Sequence, residues 1–224
     1  MKIGVPKEIL PGETRVAVSP DSIKKFSALG VEILIQSGAG EAASMTDEML
    51  QSAGARIVAD AQTLYGEADM VFKVGAPCCN GTVNELAMMK PDAILIGLLN
   101  PLFQREQAEA YAKHGLTSFA MELIPRISRA QSMDALSSQS NISGYKAVID
   151  AAETFGKILP MMMTAAGTIV PARVLVLGAG VAGLQAIATA HRLGAIVNAF
   201  DVRPAVKEQV ESLGATFIEV ENAD

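Results

Sequence analysis

The chain contains no tryptophan, and aromatic residues make up only 4% of its 224 positions. Small and aliphatic residues, above all glycine, alanine, valine, isoleucine and leucine, are abundant instead. That balance is typical of parallel sheets covered by helices on both faces. Half of the residues are hydrophobic, which is enough to bury a full core and argues against a disordered chain. The composition therefore predicts an α/β protein.

Cysteine is nearly absent. The two cysteines, Cys78 and Cys79, are adjacent, and a disulfide between neighbours is strained, so they cannot form a secretory framework. We expect a reducing compartment. No clustered histidines or carboxylates accompany the pair, which favours plain loop residues over a redox or metal site. We predict no metal site.

Long apolar runs and basic blocks are also lacking. Charges occur within the first eight residues and no long apolar segment follows them, so we expect no signal peptide. The longest uncharged stretch, residues 174–190, approaches spanning length but contains three glycines, which disfavours a membrane span. The net charge of −6 is spread along the chain, which disfavours nucleic acid as a partner.

Short β-branched runs alternate with segments of helical periodicity over residues 1–135. Strand, helix and strand in that order favour parallel pairing with right-handed crossovers. We therefore predict a doubly wound N-terminal α/β domain there. Its predicted strands cover residues 2–5, 31–36, 69–74, 93–97 and 117–120, and two of its helices cover residues 23–29 and 104–114.

A proline-free segment follows, with apolar residues at helical spacing from residue 135 to residue 159. It predicts one long helix that ends before Pro160, and residues 161–171 then form an uncharged connector. We assign residues 136–165 to a connecting helix and linker, and residues 166–224 to the first half of a dinucleotide-binding domain.

That second domain begins with a glycine fingerprint. The apolar segment 173–177 predicts a strand, and the sequence GAGVAG at 178–183 follows it directly before a helix. In this G-x-G-x-x-G pattern Gly178 permits the tight turn, Gly180 leaves room for a pyrophosphate and Gly183 lets helix and strand pack closely. The pyrophosphate is expected on the helix N-terminus.

The next predicted strand, residues 196–200, ends at Asp201, where a carboxylate can accept both ribose hydroxyls of the adenosine. NAD(H) is therefore favoured over NADP(H), although the nearby Arg203 could accommodate a 2′-phosphate. A helix at 204–213 and a strand at 216–220 complete only one mononucleotide half. We expect the chain to be part of a longer polypeptide, so that it contains two Rossmann-like domains of which the second is incomplete.

Three segments carry a family resemblance: residues 4–20, which begin GVPKE, residues 125–141, which begin PRISRAQSMD, and residues 174–201. With them the chain resembles the NAD(H)-binding domain of the alpha subunit in proton-translocating transhydrogenases, within the alanine dehydrogenase/pyridine nucleotide transhydrogenase family. The first and third segments are common to both branches. The middle segment resembles the transhydrogenase loop that reaches the nicotinamide ring.

The resemblance implies an NAD(P)⁺ transhydrogenase, Re/Si-specific and proton-translocating, which passes a hydride between NADH and NADP⁺. In it Arg126, Gln131 and Asp134 would be catalytic. The cofactor contacts implied by resemblance and fingerprint together are Arg126, Ile127, Ser128, Arg129, Gln131, Asp134, Ser137, Gly178, Gly180, Val181, Ala182, Gly183, Asp201, Val202 and Arg203. Without the resemblance, the loop residues indicate only a solvated segment before a helix that Asp134 caps.

The implied partners are an NADP(H)-binding domain and a membrane proton-channel domain of the same complex. The resemblance also implies a homodimer, held at the cytoplasmic side of the inner membrane through the partner domains. This chain is not expected to be active alone.

Two alternatives remain open. An alanine dehydrogenase-like oxidoreductase would bind a substrate carboxylate through arginine and lysine, roles that Arg15 and Lys73 could fill, but it also needs an acid/base histidine. The only histidines, His114 and His191, lie at predicted helix ends instead. The second alternative is a non-catalytic NAD-binding regulatory module.

Overall fold

The computed structural model describes residues 1–79 and 83–220. The chain forms two compact units, Met1–Met133 and Asp134–Asp224. Each unit has its own parallel sheet and its own buried apolar residues.

In its described residues, the first unit is a six-stranded sheet with five α-helices. Its elements are β1 (Lys2–Val5), α1 (Pro20–Ala28), β2 (Glu32–Gln36), α2 (Asp47–Ser52), β3 (Arg56–Val58), α3 (Ala61–Glu67), β4 (Met70–Gly75), α4 (Glu85–Met88), β5 (Ile94–Leu98), α5 (Arg105–His114) and β6 (Thr117–Ala120). All strand pairs are parallel, in the order β3-β2-β1-β4-β5-β6. The order reverses between β1 and β4, as in doubly wound dinucleotide folds.

The sheet is covered on both faces because successive strand residues point to opposite sides. Ile33 and Ile35 pack with Ile23 of α1 on one face, whereas Leu34 packs with Leu64 of α3 on the other. All five side chains are fully buried. The alternation explains why three successive residues at the centre of β2, Ile33, Leu34 and Ile35, are all apolar.

Local signals start and stop the helices. Ser19 and Ser22 form a reciprocal capping box at the start of α1, with Pro20 at its first turn. Gly115, with φ +86°, ends α5 in the left-handed conformation that glycine adopts without strain.

The second unit contains α6 (Ala135–Thr154), β7 (Met162–Thr164), β8 (Gly167–Ile169), β9 (Arg173–Leu177), α7 (Val181–Arg192), β10 (Ile196–Phe200), α8 (Lys207–Ser212) and β11 (Thr216–Phe217). Strands β9, β10 and β11 form a parallel sheet in the order β11-β10-β9, so β9 is an edge strand among the described residues. Strands β7 and β8 form a separate antiparallel hairpin. The buried centre of the unit contains Ile187, Val197 and Val210.

Helix α6 packs very closely on α7. A Cβ placed on Gly144 would overlap the carbonyl oxygen of Ala182, in the first turn of α7. One turn further along α6, Val148 is buried in the same cluster as Ala179 of the glycine turn. Only glycine at position 144 permits this approach of the two helices.

The parallel sheets and βαβ order confirm the predicted α/β class with two Rossmann-like units. The elements differ in detail from the predictions. Helix α6 ends at Thr154 rather than at residue 159, because Gly156 takes φ +66° and stops it. The expected connector contains the β7–β8 hairpin, and β11 is shorter than predicted.

Within residues 1–79 and 83–220, no helix is both long and apolar enough to cross a membrane.

Candidate dinucleotide site

The turn from β9 into α7 carries the glycine fingerprint, and two of its glycines are required by the fold. Gly178 has φ +96°, and its N–H donates to the Phe200 carbonyl at 2.8 Å. A Cβ on Gly183 would overlap the carbonyl oxygen of Gly178. A backbone conformation and a close approach therefore explain these two residues.

Gly180 is different from its two neighbours. Its φ of −79° and ψ of −168° are extended values open to any residue. A Cβ there would meet nothing within 4 Å among the described residues. Neither conformation nor packing within the unit requires glycine at this position, which leaves open space at the N-terminus of α7.

That helix end can bind an anion. Gly180 is the N-cap of α7, it provides no side-chain cap, and the first intrahelical bond runs from Leu184 N–H to its carbonyl at 2.8 Å. The N–H groups of the first turn have no intrahelical acceptor. Together with the helix dipole, they favour a phosphate at this position.

Asp201 lies at the carboxyl end of β10, beside the glycine turn. Its carboxylate accepts the Ala179 N–H at 2.7 Å and the Arg203 N–H at 2.8 Å. The guanidinium of Arg203 also donates to it, from Nε at 2.9 Å and from Nη2 at 3.0 Å. The Arg203 side chain and these two backbone N–H groups hold the pKa of Asp201 well below its usual range, so the group stays ionised near neutral pH.

A cleft of about 480 Å³ opens at this edge of the sheet, a size typical of small-molecule sites. It is lined by Leu177, Gly178, Phe200, Asp201, Val202 and Arg203. Thus the sequence-predicted residues from the glycine turn and the end of β10 are brought together within one unit.

Two further predicted residues lie at the start of α6, in the same unit. Asp134 is the N-cap of this helix: its carboxylate accepts the Ser137 N–H at 2.9 Å and the Ser137 hydroxyl at 2.6 Å. The capping role that the residues alone indicate is therefore present.

The remaining predicted residues belong to the first unit, in the turn of 3₁₀ helix over Ser128–Met133 and the residues before it. Here Arg126, Ile127, Ser128, Arg129 and Gln131 are exposed, whereas Ala130 is buried. The Ala130 N–H donates to the Ile127 carbonyl at 2.9 Å, and this hydrogen bond closes the turn. One buried alanine thus anchors a loop whose polar side chains face solvent.

Sequence reasoning missed a buried ionic cluster in the first unit. The Lys73 ammonium lies 2.9 Å from Glu85 and 3.1 Å from Glu8, and all three side chains are almost inaccessible. The Tyr65 hydroxyl donates to Glu85 at 2.6 Å, and burial raises the pKa of Tyr65 far above its ordinary value. One ammonium faces two carboxylates, so the buried charges are only partly balanced. No local pattern in the sequence indicates this cluster, because its members come from four separate segments.

Two other side chains that a dehydrogenase could use also have partners within the protein. Arg15 pairs with Glu13. The Nε2–H of His114, in the last turn of α5, donates to the Met89 carbonyl at 2.9 Å. Among residues 1–79 and 83–220, no group of three or more histidine, cysteine or acidic side chains could hold a metal ion.

Related proteins share both units of the chain. An NAD(P) transhydrogenase alpha subunit of Rhodospirillum rubrum is 57% identical over 224 residues, which cover 99% of this chain and 58% of that protein. An alanine dehydrogenase of Mycobacterium tuberculosis is 31% identical over 90% of this chain and 54% of its own length. The chain therefore spans little more than half the length of these relatives.

A solved transhydrogenase structure from Sinorhizobium meliloti superposes with a TM-score of 0.94 at 50% identity, over 99% of this chain and 62% of that one. Residues 4–143 match the N-terminal domain described as alanine dehydrogenase/PNT, and residues 147–224 match the C-terminal domain of the same description. As its three sequence segments predict, the chain belongs to the alanine dehydrogenase/pyridine nucleotide transhydrogenase family.

Proposed function

We propose that the chain is the NAD(H)-binding part of a Re/Si-specific, proton-translocating transhydrogenase, which passes a hydride between NADH and NADP⁺ held by a separate domain. The transhydrogenase alpha subunits among its relatives support this proposal. So does the loop at residues 125–134, which resembles the loop of the transhydrogenase branch that reaches the nicotinamide ring.

The observation that best supports dinucleotide binding is the open space around Gly180. Gly178 and Gly183 are explained by the fold, whereas Gly180 stands in open space in an ordinary conformation. The pyrophosphate of a dinucleotide needs that space, at a helix end whose N–H groups attract it. The ionised Asp201 beside it suits a ribose diol and repels a 2′-phosphate, which supports NAD(H) as the ligand.

The proposed reaction places few demands on acid/base groups. Bound NADH supplies the hydride, and no proton accompanies it, so the protein has to orient the ring and exclude water. We assign orientation to Arg126 and Gln131, which would hold the carboxamide or a neighbouring phosphate. Asp134 would fix the arginine or the ribose. Because this hydride transfer needs no acid/base group, it needs no histidine among these residues.

The partners in this proposal are an NADP(H)-binding domain and a membrane domain that couples the reaction to proton movement. The NAD(H) part would form a homodimer and lie at the cytoplasmic side of the inner membrane, attached through those domains. The family resemblance and the subunit names of the relatives support this arrangement.

The buried cluster weighs against an alanine dehydrogenase-like reaction. A lysine that binds a substrate carboxylate has to present a positive charge to solvent. Lys73 is instead buried between Glu8 and Glu85, and two carboxylates around one ammonium repel a further anion. An anionic keto acid is therefore a poor ligand for this lysine.

A mixing assay tests the proposal. The chain is incubated with NADH and an NADP⁺ analogue, with and without the NADP-binding domain of a related transhydrogenase. We expect hydride transfer only when both proteins are present. Oxidation of NADH by pyruvate plus ammonia would indicate the dehydrogenase instead, and NADH binding without turnover in either assay would indicate a regulatory module.

The same assay tests whether Arg126 and Gln131 orient the nicotinamide ring. Gln131→Asn and Arg126→Ala are expected to lower the rate at saturating NADH more than they lower NADH affinity, because these groups orient the ring. Ser132→Ala, at an exposed neighbour, is the matched control. A weaker affinity with intact saturated turnover would reassign the loop to plain binding.

A further inference from the structure

The Asp201 carboxylate has no acceptor position left. A carboxylate offers about four lone-pair sites on its two oxygens. Oδ1 accepts the backbone N–H and the Nε–H of Arg203, and Oδ2 accepts the Ala179 N–H and the Nη2–H of Arg203. The group that is expected to bind a ribose diol is thus already saturated by donors from the protein.

These four donors fall into two pairs. The N–H groups of Ala179 and Arg203 belong to the backbone of the glycine turn and of the residues after β10, so the fold holds them in place. The other two belong to the Arg203 guanidinium, whose side chain is 59% exposed although the Asp201 side chain is only 6% exposed. Because the guanidinium itself is exposed, it can swing into solvent once two other donors take its place on the carboxylate.

A ribose diol presents two hydroxyl donors, the same number that the guanidinium presents. We propose that the Arg203 guanidinium is a displaceable counter-ion, which the adenosine ribose of NADH replaces on Asp201, and that this exchange sets dinucleotide affinity and selectivity. The inference rests on the proposed NAD(H) function and adds the residue that competes with the ligand.

The exchange has opposite consequences for the two dinucleotides. NADH has to displace the guanidinium, which weakens its binding. A dinucleotide with a 2′-phosphate would bring negative charge toward Asp201, and the same guanidinium would partly neutralise that repulsion. Arg203 therefore reduces the preference for NADH over NADPH.

The test measures dissociation constants of NADH and NADPH by nucleotide fluorescence for the parent protein and for Arg203→Ala. We expect the variant to bind NADH about two- to fivefold more tightly, because NADH no longer has to displace a guanidinium that is itself largely exposed. NADPH is expected to bind more weakly. Lys207→Ala is the matched control: it also removes one cation, but one that pairs with Glu219, so the gain in NADH affinity should be absent.

A double-mutant cycle connects the effect to the carboxylate. In an Asp201→Asn background there is no carboxylate for the guanidinium and the ribose to compete for. Adding Arg203→Ala should therefore leave NADH affinity within about twofold of that of the Asp201→Asn protein. A gain that persists there would overturn the proposal, as would unchanged or weaker NADH binding by Arg203→Ala in a protein with native circular dichroism. If Arg203→Ala is not folded, Arg203→Lys serves instead, because lysine lacks the two-pronged fork and should still show the gain.

Failure of the proposed function gives a different result. A folded parent protein that binds neither dinucleotide would overturn NAD(H) binding and this inference together. A parent that binds NADH, with an Arg203→Ala variant that binds it no better, would overturn only the competition.

Discussion

Three glycines within six residues have three separate physical causes. Gly178 needs a positive φ, Gly183 needs the absence of a Cβ against a carbonyl oxygen, and Gly180 has open space around it. Stability and binding should therefore respond to different members of the same motif.

Substitution of two of these glycines separates binding from folding. Gly180→Val is expected to leave the free energy of unfolding nearly unchanged while abolishing NADH binding, since its side chain would occupy the pyrophosphate path. Gly183→Ala is expected to destabilise the second unit by about 1–3 kcal/mol or more, because a backbone oxygen has to move. Urea unfolding and NADH titration on both variants check this. A Gly180→Val protein that still binds NADH would mean that the space serves no ligand.

At the scale of single residues, the sequence predicts which residue lies at a site better than it predicts the conformation of that residue's side chain. The fingerprint indicates that Asp201 stands beside the glycine turn, and the structure places it there. That Arg203 folds back onto both carboxylate oxygens depends on a side-chain conformation, which no sequence pattern specifies. Lys73 is a similar case: its position in β4 is predictable, whereas its burial against two glutamates depends on long-range packing.

Among the elements, α6 and α7 depend on each other most closely. Gly144 allows the backbone of α6 to rest on the first turn of α7, the turn whose N-terminus is expected to bind the pyrophosphate. Any group inserted between the helices must displace that turn.

Gly144→Ala should therefore affect both stability and binding. A methyl group has to overlap the Ala182 carbonyl or push the helices apart, so we expect a loss of about 1–3 kcal/mol in the free energy of unfolding and weaker NADH binding. Ser143→Ala, one residue earlier on an exposed position of the same helix, should change neither. Thermal unfolding and NADH titration measure both effects. A fully stable Gly144→Ala protein with native affinity would show that the helix contact is not needed.

Periodicity predicts the long elements and fails for the short ones. Strands β1, β2, β4 and β5 are recognisable as apolar runs, and β6 only by its β-branched and aromatic residues, Thr117 and Phe119. Helices α1 and α5 carry clear capping and stop signals. The three-residue strand β3 begins with Arg56 and has no period of its own. The hairpin of β7 and β8 is equally short. Such elements form because a neighbour supplies their hydrogen bonds, which is information from outside the segment.

On the scale of the whole molecule, the two units have separate buried centres. Leu95 is fully buried in the first unit and Ile187 is fully buried in the second. Chains with more than one core often depart from a single cooperative transition.

We expect two unfolding transitions that respond to different substitutions. Leu95→Ala and Ile187→Ala should each cost about 2–5 kcal/mol, and each should lower the midpoint of only one transition. NADH should raise the midpoint of the transition that Ile187→Ala lowers, because a ligand stabilises the unit that binds it. Calorimetry with and without NADH checks this. One transition lowered equally by both substitutions would show that the units unfold together.

The contact at Gly144 also constrains the length of the chain before it. Asp134 caps the start of α6, and Gly144 is held against α7 further along the same unbroken helix. A single inserted or deleted residue between them would turn Asp134 by about 100° around the helix axis and shift it by about 1.5 Å. The exposed residues 141–143 can vary in identity, but their number cannot. Over evolutionary time the exposed residues 141–143 should accumulate substitutions, while the segment excludes insertions and deletions.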